Sequence, residues 1–297
     1  MLALSFDNGH ALVLQRNGDL LSINTTPLPS KAATRVKAAR KLRRVRSFAQ
    51  NATFGCAHLK DGSVRCWGEQ VGDYGSEDCP DEEAVYTYGD RPQRIALPKT
   101  TNAFRSGYDL SCASSQEGIH CWGDRFGGTD QDPKLLKDTQ GYTLRAVTNS
   151  WVCAEKTTDK SVPSTTDCWR IGRHERDDDP SLSFQGAPHI HGTEDQICVV
   201  TQDNQIDCHN DHKPQVPLHI TGLPKAKTVL EIRGDAYFGC ARLGDNTARC
   251  WGTFFENGLK AFEVPELGKI TALASEQGSL EPICALRQDT SIWCVDN

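Results

Sequence analysis

The sequence predicts an all-β fold: a seven-bladed β-propeller of four-stranded antiparallel blades, six of them carrying a hairpin disulfide, in a single domain spanning 1–297. Three observations predict it. Twelve of the 13 cysteines fall into pairs, four of the six pairs separated by ten residues. The first members of the pairs, Cys56, Cys112, Cys153, Cys198, Cys240 and Cys284, recur after 56, 41, 45, 42 and 44 residues, and a fixed period of this size marks a repeat architecture. Similar text surrounds each pair, with a turn at its centre.

The stapled hairpin is strands two and three of each blade. Its turn is Asp61-Gly62, Glu117-Gly118, Asp203-Asn204 or Asp245-Asn246, midway between the cysteines, as a β-hairpin requires. A cysteine-free copy, Ala11-Leu-Val-Leu-Gln-Arg-Asn-Gly-Asp-Leu-Leu21, brings the copies to seven. Strand one is the alternating run upstream, as in Leu144-Arg-Ala-Val147, Val229-Leu-Glu-Ile232 and Ile270-Thr-Ala-Leu273. Strand four is the proline-marked run downstream, as in Pro92-Gln-Arg-Ile-Ala-Leu-Pro98 and Pro214-Gln-Val-Pro-Leu218, where an edge strand tolerates a missing donor. A chain that opens on strand one, Leu2 to Ser5, and stops on strand three, Ile292 to Val295, must bring its terminal blades together to close the ring.

Residues facing one another across such a hairpin lie within disulfide reach, which pairs Cys56 with Cys66, Cys112 with Cys121, Cys153 with Cys168, Cys198 with Cys208, Cys240 with Cys250 and Cys284 with Cys294. A closed loop of about ten residues contributes at most ~2.5–3 kcal/mol. Zinc is the competing use of cysteine, but each blade supplies two thiolates and separate blades hold them apart. Cys79 is left over, either a free thiol in a polar loop or an intermolecular bridge.

The repeat Phe238-Gly-Cys-Ala-Arg-Leu-Gly-Asp-Asn-Thr-Ala-Arg-Cys-Trp-Gly252, with its counterpart Phe54 to Gly68, resembles the regulator of chromosome condensation repeat family in its cysteine-rich bacterial, secreted form. The stretch usual after Trp-Gly is degraded here to Gly72-Asp-Tyr-Gly75. The resemblance implies a propeller that grips another protein with one face, as exchange factors for small GTPases and a streptomycete inhibitor of β-lactamases do.

A net charge of −6 gives no global case for nucleic acid. No run of about 18 apolar residues spans a membrane, and Met1 to Asn8 lacks the features of a signal peptide. So many cysteines point to a secreted, surface or periplasmic setting. No phosphate loop, zinc helix or nucleophile elbow is present, and no catalytic residue, metal or cofactor is assigned. His189, His191, His209 and His212 read as surface residues, Asp177-Asp178-Asp179 as a solvated loop, and Asn24 and Asn51 as sequon positions. Lys31 to Arg46 holds eight basic residues and no acidic one; it either attracts an anionic partner or simply guards blade edges.

In an up-and-down blade the one–two and three–four connections emerge on one face and the two–three turns on the other. The turn face is polar. The other face is aromatic: Phe54, Tyr108, Trp151, Tyr237 and Phe238 before strand two, and Tyr74, Tyr86, Tyr88, Phe126, Phe254 and Phe255 after strand three. Phe54 and Phe238 fit inter-blade packing as well as exposure. Trp67, Trp122, Trp169 and Trp251 recur in the repeat and read as packing. The insertion Glu69 to Asp90, acidic with three tyrosines, is either a recognition loop or an acidic decoration. The expectation is a monomeric, non-enzymatic binding module for a protein, a glycan being the alternative partner and a propeller enzyme the third.

Overall fold

The structure, a computed structural model, describes residues 3–7, 10–15, 17–24, 42–50, 54–71, 85–107, 110–123, 133–156, 164–171, 180–186, 189–192, 196–211, 213–225, 228–234, 237–252, 259–275 and 283–295. They form antiparallel sheets at 3–24, 45–94, 103–136, 142–185, 190–220, 229–263 and 270–295, each with its strands paired in sequence order. The first strand of every sheet packs on the first strand of the next. Ala3–Asp7 also packs on Ile270–Ser275, so the ring closes around an axis lined by first strands.

Blade number is where the sequence reading needs correction. The stapled repeat builds six blades, not seven, and four strands are complete in only five sheets among the described residues. The cysteine-free 3–24 segment forms a three-stranded sheet that joins the first stapled blade to the last. It has no staple and no counterpart of Trp67, Trp122, Trp169 or Trp251, so it closes the ring as a smaller element. The 270–295 blade also has three strands.

All six predicted disulfides form, each between residues directly opposite in the hairpin register, with Cα atoms 3.9 to 4.1 Å apart. Cys79 lies outside the described residues. The turns explain why the cysteines meet. The second turn residue is left-handed in five copies: Gly18, Gly62, Asn204, Asn246 and Thr290 have φ of 86°, 82°, 62°, 65° and 72°. The preceding aspartate fixes the turn, Asp61 accepting from the backbone N–H and hydroxyl of Ser63 at 2.9 and 2.7 Å, and Asp245 likewise from Thr247.

The core lies between blades rather than within them. Leu110, Ile119 and Leu136 of one blade pack with Tyr142, Leu144, Val152 and Trp169 of the next, and Val200, Ile206 and Ile220 pack with Val229, Ala241 and Trp251. Trp67, Trp122, Trp169 and Trp251 are at most 2% exposed, and each reaches into the interface with the preceding sheet. His209 takes the tryptophan's place after Cys208, its ring edge-on to Phe184 of the preceding blade at 5.2 Å. Gly55, opposite Trp67, has no room for a Cβ: one built there meets the indole at 2.5 Å.

Two predicted segments shift. Strand four of the first stapled blade is Val85–Arg94, not the run from Pro92 to Pro98, and strand three extends to Val71. Glu69 pairs with Thr87 and Gln70 with Tyr86, so both ends of the Glu69 to Asp90 insertion are β-ribbon. Pro92 sits on the outer edge of its sheet, where no neighbour needs its N–H. The strand predicted from Pro214 begins only at Leu218.

Candidate interaction face and channel mouth

The up-and-down strand order puts the one–two and three–four connections at one end of the ring and the stapled turns at the other. Four of the stapled turns are short and internally satisfied, by Asp61, Asp203, Asp245 and Asp289. Hydrogen bonds from Ser63 and Ser291 hold the Asp61 and Asp289 carboxyls below the ordinary carboxylate value.

At the opposite end, Tyr237 is 43% exposed at the start of strand Phe238–Leu243. Phe238 is buried against Leu267 and Ile283 of the next blade. Tyr86 and Tyr88 lie on strand Val85–Arg94, whose ribbon leads away from the blade. Tyr74, Tyr108, Phe126, Phe254 and Phe255 lie outside the described residues, as do Asp177 to Asp179, His212 and most of the Lys31 to Arg46 segment.

Trp151 does not join this surface. It is fully buried with Ala146, Leu182 and Ile197, because Thr148 folds the connection back: its N–H donates to Trp151 O at 2.9 Å, and its hydroxyl accepts from the Ser150 and Trp151 N–H groups. Gly107 and Gly192, from the blades on either side, close on Thr148 so tightly that a Cβ on either would clash. Trp151 is therefore an inter-blade wedge, and the sequence reading of it as a partner anchor is corrected.

Inside this end of the ring is a cluster that the sequence reading missed. Arg105, His191 and Arg233 each pair with the first cysteine of their own hairpin, Cys112, Cys198 and Cys240. They therefore share one register row on the first strands that line the axis. Each stands one or two residues before the glycine that ends its strand run, at the mouth from which the one–two connections leave.

Arg105 and Arg233 adopt the same local bond, Nη1 to the preceding carbonyl, at 2.8 and 2.9 Å. Arg105 Nε also donates to Arg145 O of the next blade at 3.1 Å. Arg233 Nη2 pairs with Glu231 at 2.9 Å, while Glu231 also accepts from Arg242 and from the Leu273 N–H. Arg145 pairs with Glu155. Arg105 keeps accessible surface, yet the atoms around it crowd and desolvate its guanidinium. That crowding, with the charges of Arg233 and Arg145, lowers its pKa. His191 was expected on the surface. Instead burial, and then Arg233, hold its pKa well below the ordinary value, so the imidazole is neutral.

One signal could have found this row. The run upstream of each hairpin was read as an alternating strand, and at the position facing the first cysteine three copies carry a cation or imidazole where Ala49, Ala146 and Ala274 stand in the other three. Only ring closure shows that these positions converge.

The similarities to solved structures agree with this geometry. The chain superposes on the CRINKLY WD40 ectodomain of the Arabidopsis thaliana receptor kinase ACR4 with TM-score 0.58 and 16% identity, covering 99% of this chain and 93% of that one. Human WBSCR16 gives TM-score 0.62 and 13% identity over 96% and 86%. Prp20p of Saccharomyces cerevisiae, the yeast RCC1, gives TM-score 0.50 and 13% identity over 99% and 71%. The fold is an RCC1-like propeller. At these identities the likeness is one of fold. No protein-family model matches the chain, and no curated protein matches it in sequence. Among the described residues no helix is long and apolar enough to cross a membrane.

Proposed function

We propose that this propeller is a non-enzymatic binding module that recognises another protein through the face carrying the one–two and three–four connections, in an oxidising, extracellular or periplasmic setting. The observation that carries the reading is the contrast between the ends of one rigid ring. Stapled turns satisfy their own polar groups at one end; at the other, Tyr237 is exposed and a ribbon leads out to Tyr86 and Tyr88. Aromatic side chains on a fixed scaffold suit anchoring, and six disulfides suit an oxidising compartment. The related fold of Prp20p, whose structure is described with its binding to Gsp1p and histones, supports a protein partner.

The test is affinity capture from the native milieu with the oxidised chain as bait, followed by affinity measurement on the captured protein. An aromatic anchor in a packed interface is worth about 2 kcal/mol or more, so Tyr86→Ala with Tyr88→Ala should weaken binding more than tenfold. Substitutions at Asp61, Asp203 and Asp245 should change it little. The reverse pattern would place the interface on the turn face, and a captured glycan without protein would replace the reading altogether.

A further inference from the structure

We infer that the mouth of the central channel is a binding site for a tetrahedral oxyanion of phosphate or sulfate size, held by Arg105 and His191 with Arg145 and Arg233 beside them. This is independent of the protein-binding reading and rests on unused donors. A guanidinium carries five N–H groups and no acceptor. Among the described residues Arg105 uses two of them, both on backbone carbonyls, and no carboxylate offsets its charge.

His191 adds a donor of a defined kind. Its Nδ1 lies 3.5 Å from Arg233 Nη1, and because arginine only donates, Nδ1 must be the accepting nitrogen. The proton of the neutral ring is then on Nε2, which is buried without a hydrogen-bond partner. A buried donor left unmet is unfavourable, and an anionic oxygen would meet it.

The surrounding charge selects the ligand. The guanidiniums of Arg145 and Arg233, from two other blades, act on Arg105, whereas the carboxylates of Glu155 and Glu231 are engaged by Arg145, Arg233 and Arg242. Donors that approach from successive blades around the axis match an anion with oxygens on several sides better than a planar carboxylate, which suits a single fork. Arg105 keeps solvent-accessible surface in this row, which gives the anion a path in.

The experiment is calorimetric titration of the oxidised 297-residue chain with sodium phosphate and sodium sulfate, against sodium chloride at matched ionic strength. Saturable binding of phosphate or sulfate at one site per chain is expected, with no counterpart in chloride. Arg105→Gln should weaken it at least tenfold, and Lys99→Gln, on the exposed surface, should not change it. Should Arg105→Gln fail to fold, nitrogen-15 histidine spectra of the wild type serve instead: the Nε2 signal of one buried histidine, assigned by loss in His191→Gln, should shift saturably with phosphate and not with chloride. Equal responses to phosphate and chloride, an unshifted His191 signal, or full affinity in a folded Arg105→Gln chain would overturn the site in favour of a merely hydrated channel.

Discussion

Tyr142 donates its hydroxyl hydrogen to Asp167 at 2.6 Å, and Ser183 donates to the other carboxylate oxygen at 2.5 Å. Tyr142 and Asp167 are each 8% exposed, and the phenol ring packs edge-on to Trp169 at 5.3 Å. Burial, then the bond to and charge of Asp167, push the phenol pKa far above its ordinary 10.0. Tyr142→Phe keeps the ring but takes away one donor to a buried charge, and should cost about 1–3 kcal/mol in urea unfolding. The pH dependence has a definite sign: the phenol stays protonated in the folded chain while the unfolded chain loses its proton, so stability present below pH 10 falls as pH rises beyond it. The variant should lose part of that alkaline slope; an unchanged slope would mean that Tyr142 is not its source. None of this was legible beforehand, because Tyr142 and Asp167 are 25 residues apart in a blade read only as alternating strands.

Among the described residues four stapled hairpins have a left-handed second turn residue, Gly62, Asn204, Asn246 and Thr290, and they differ in how well they supply it. Glycine occupies the position without strain, and asparagine tolerates it. Thr290, at φ 72° and exposed, is β-branched and pays the full steric cost of that region. Thr290→Gly should therefore stabilise the 270–295 blade by about 1 kcal/mol, read as a raised denaturant midpoint with an unchanged slope. A loss of stability would mean that the threonine side chain holds the turn by contacts that outweigh its strain. The turns and strand cores were legible because they are local: Asp-Gly and Asp-Asn dictate backbone conformation within four residues. The Val85–Arg94 strand was not, since a paired ribbon and a loop of equal polarity differ only in register.

At the scale of the molecule, neighbouring blades share their cores, so a change in one hairpin acts on two interfaces. Cys240 and Cys250 are fully buried, and both pack with Leu267 and Ile270 of the next blade. Replacing both by alanine removes a ten-residue closed loop and should cost roughly 2–3 kcal/mol by the chain-entropy estimate. Equilibrium unfolding of the double variant checks this; a cost well under 1 kcal/mol would mean that turn and core hold the hairpin without the staple.

The sequence by itself determined the repeat, the hairpins and the disulfide partners, because each depends on residues within about fifteen positions of one another. It also marked the recurring tryptophans as packing, since a residue repeated in every good copy serves what the copies share. Tertiary structure decided the rest. The total number of blades, the three-stranded build of 3–24, the burial of Trp151 and the meeting of Arg105, His191 and Arg233 depend on how blades stack and where the ring closes. Those contacts join residues some forty or more positions apart, and no local pattern records which positions of successive copies will face one another across the axis.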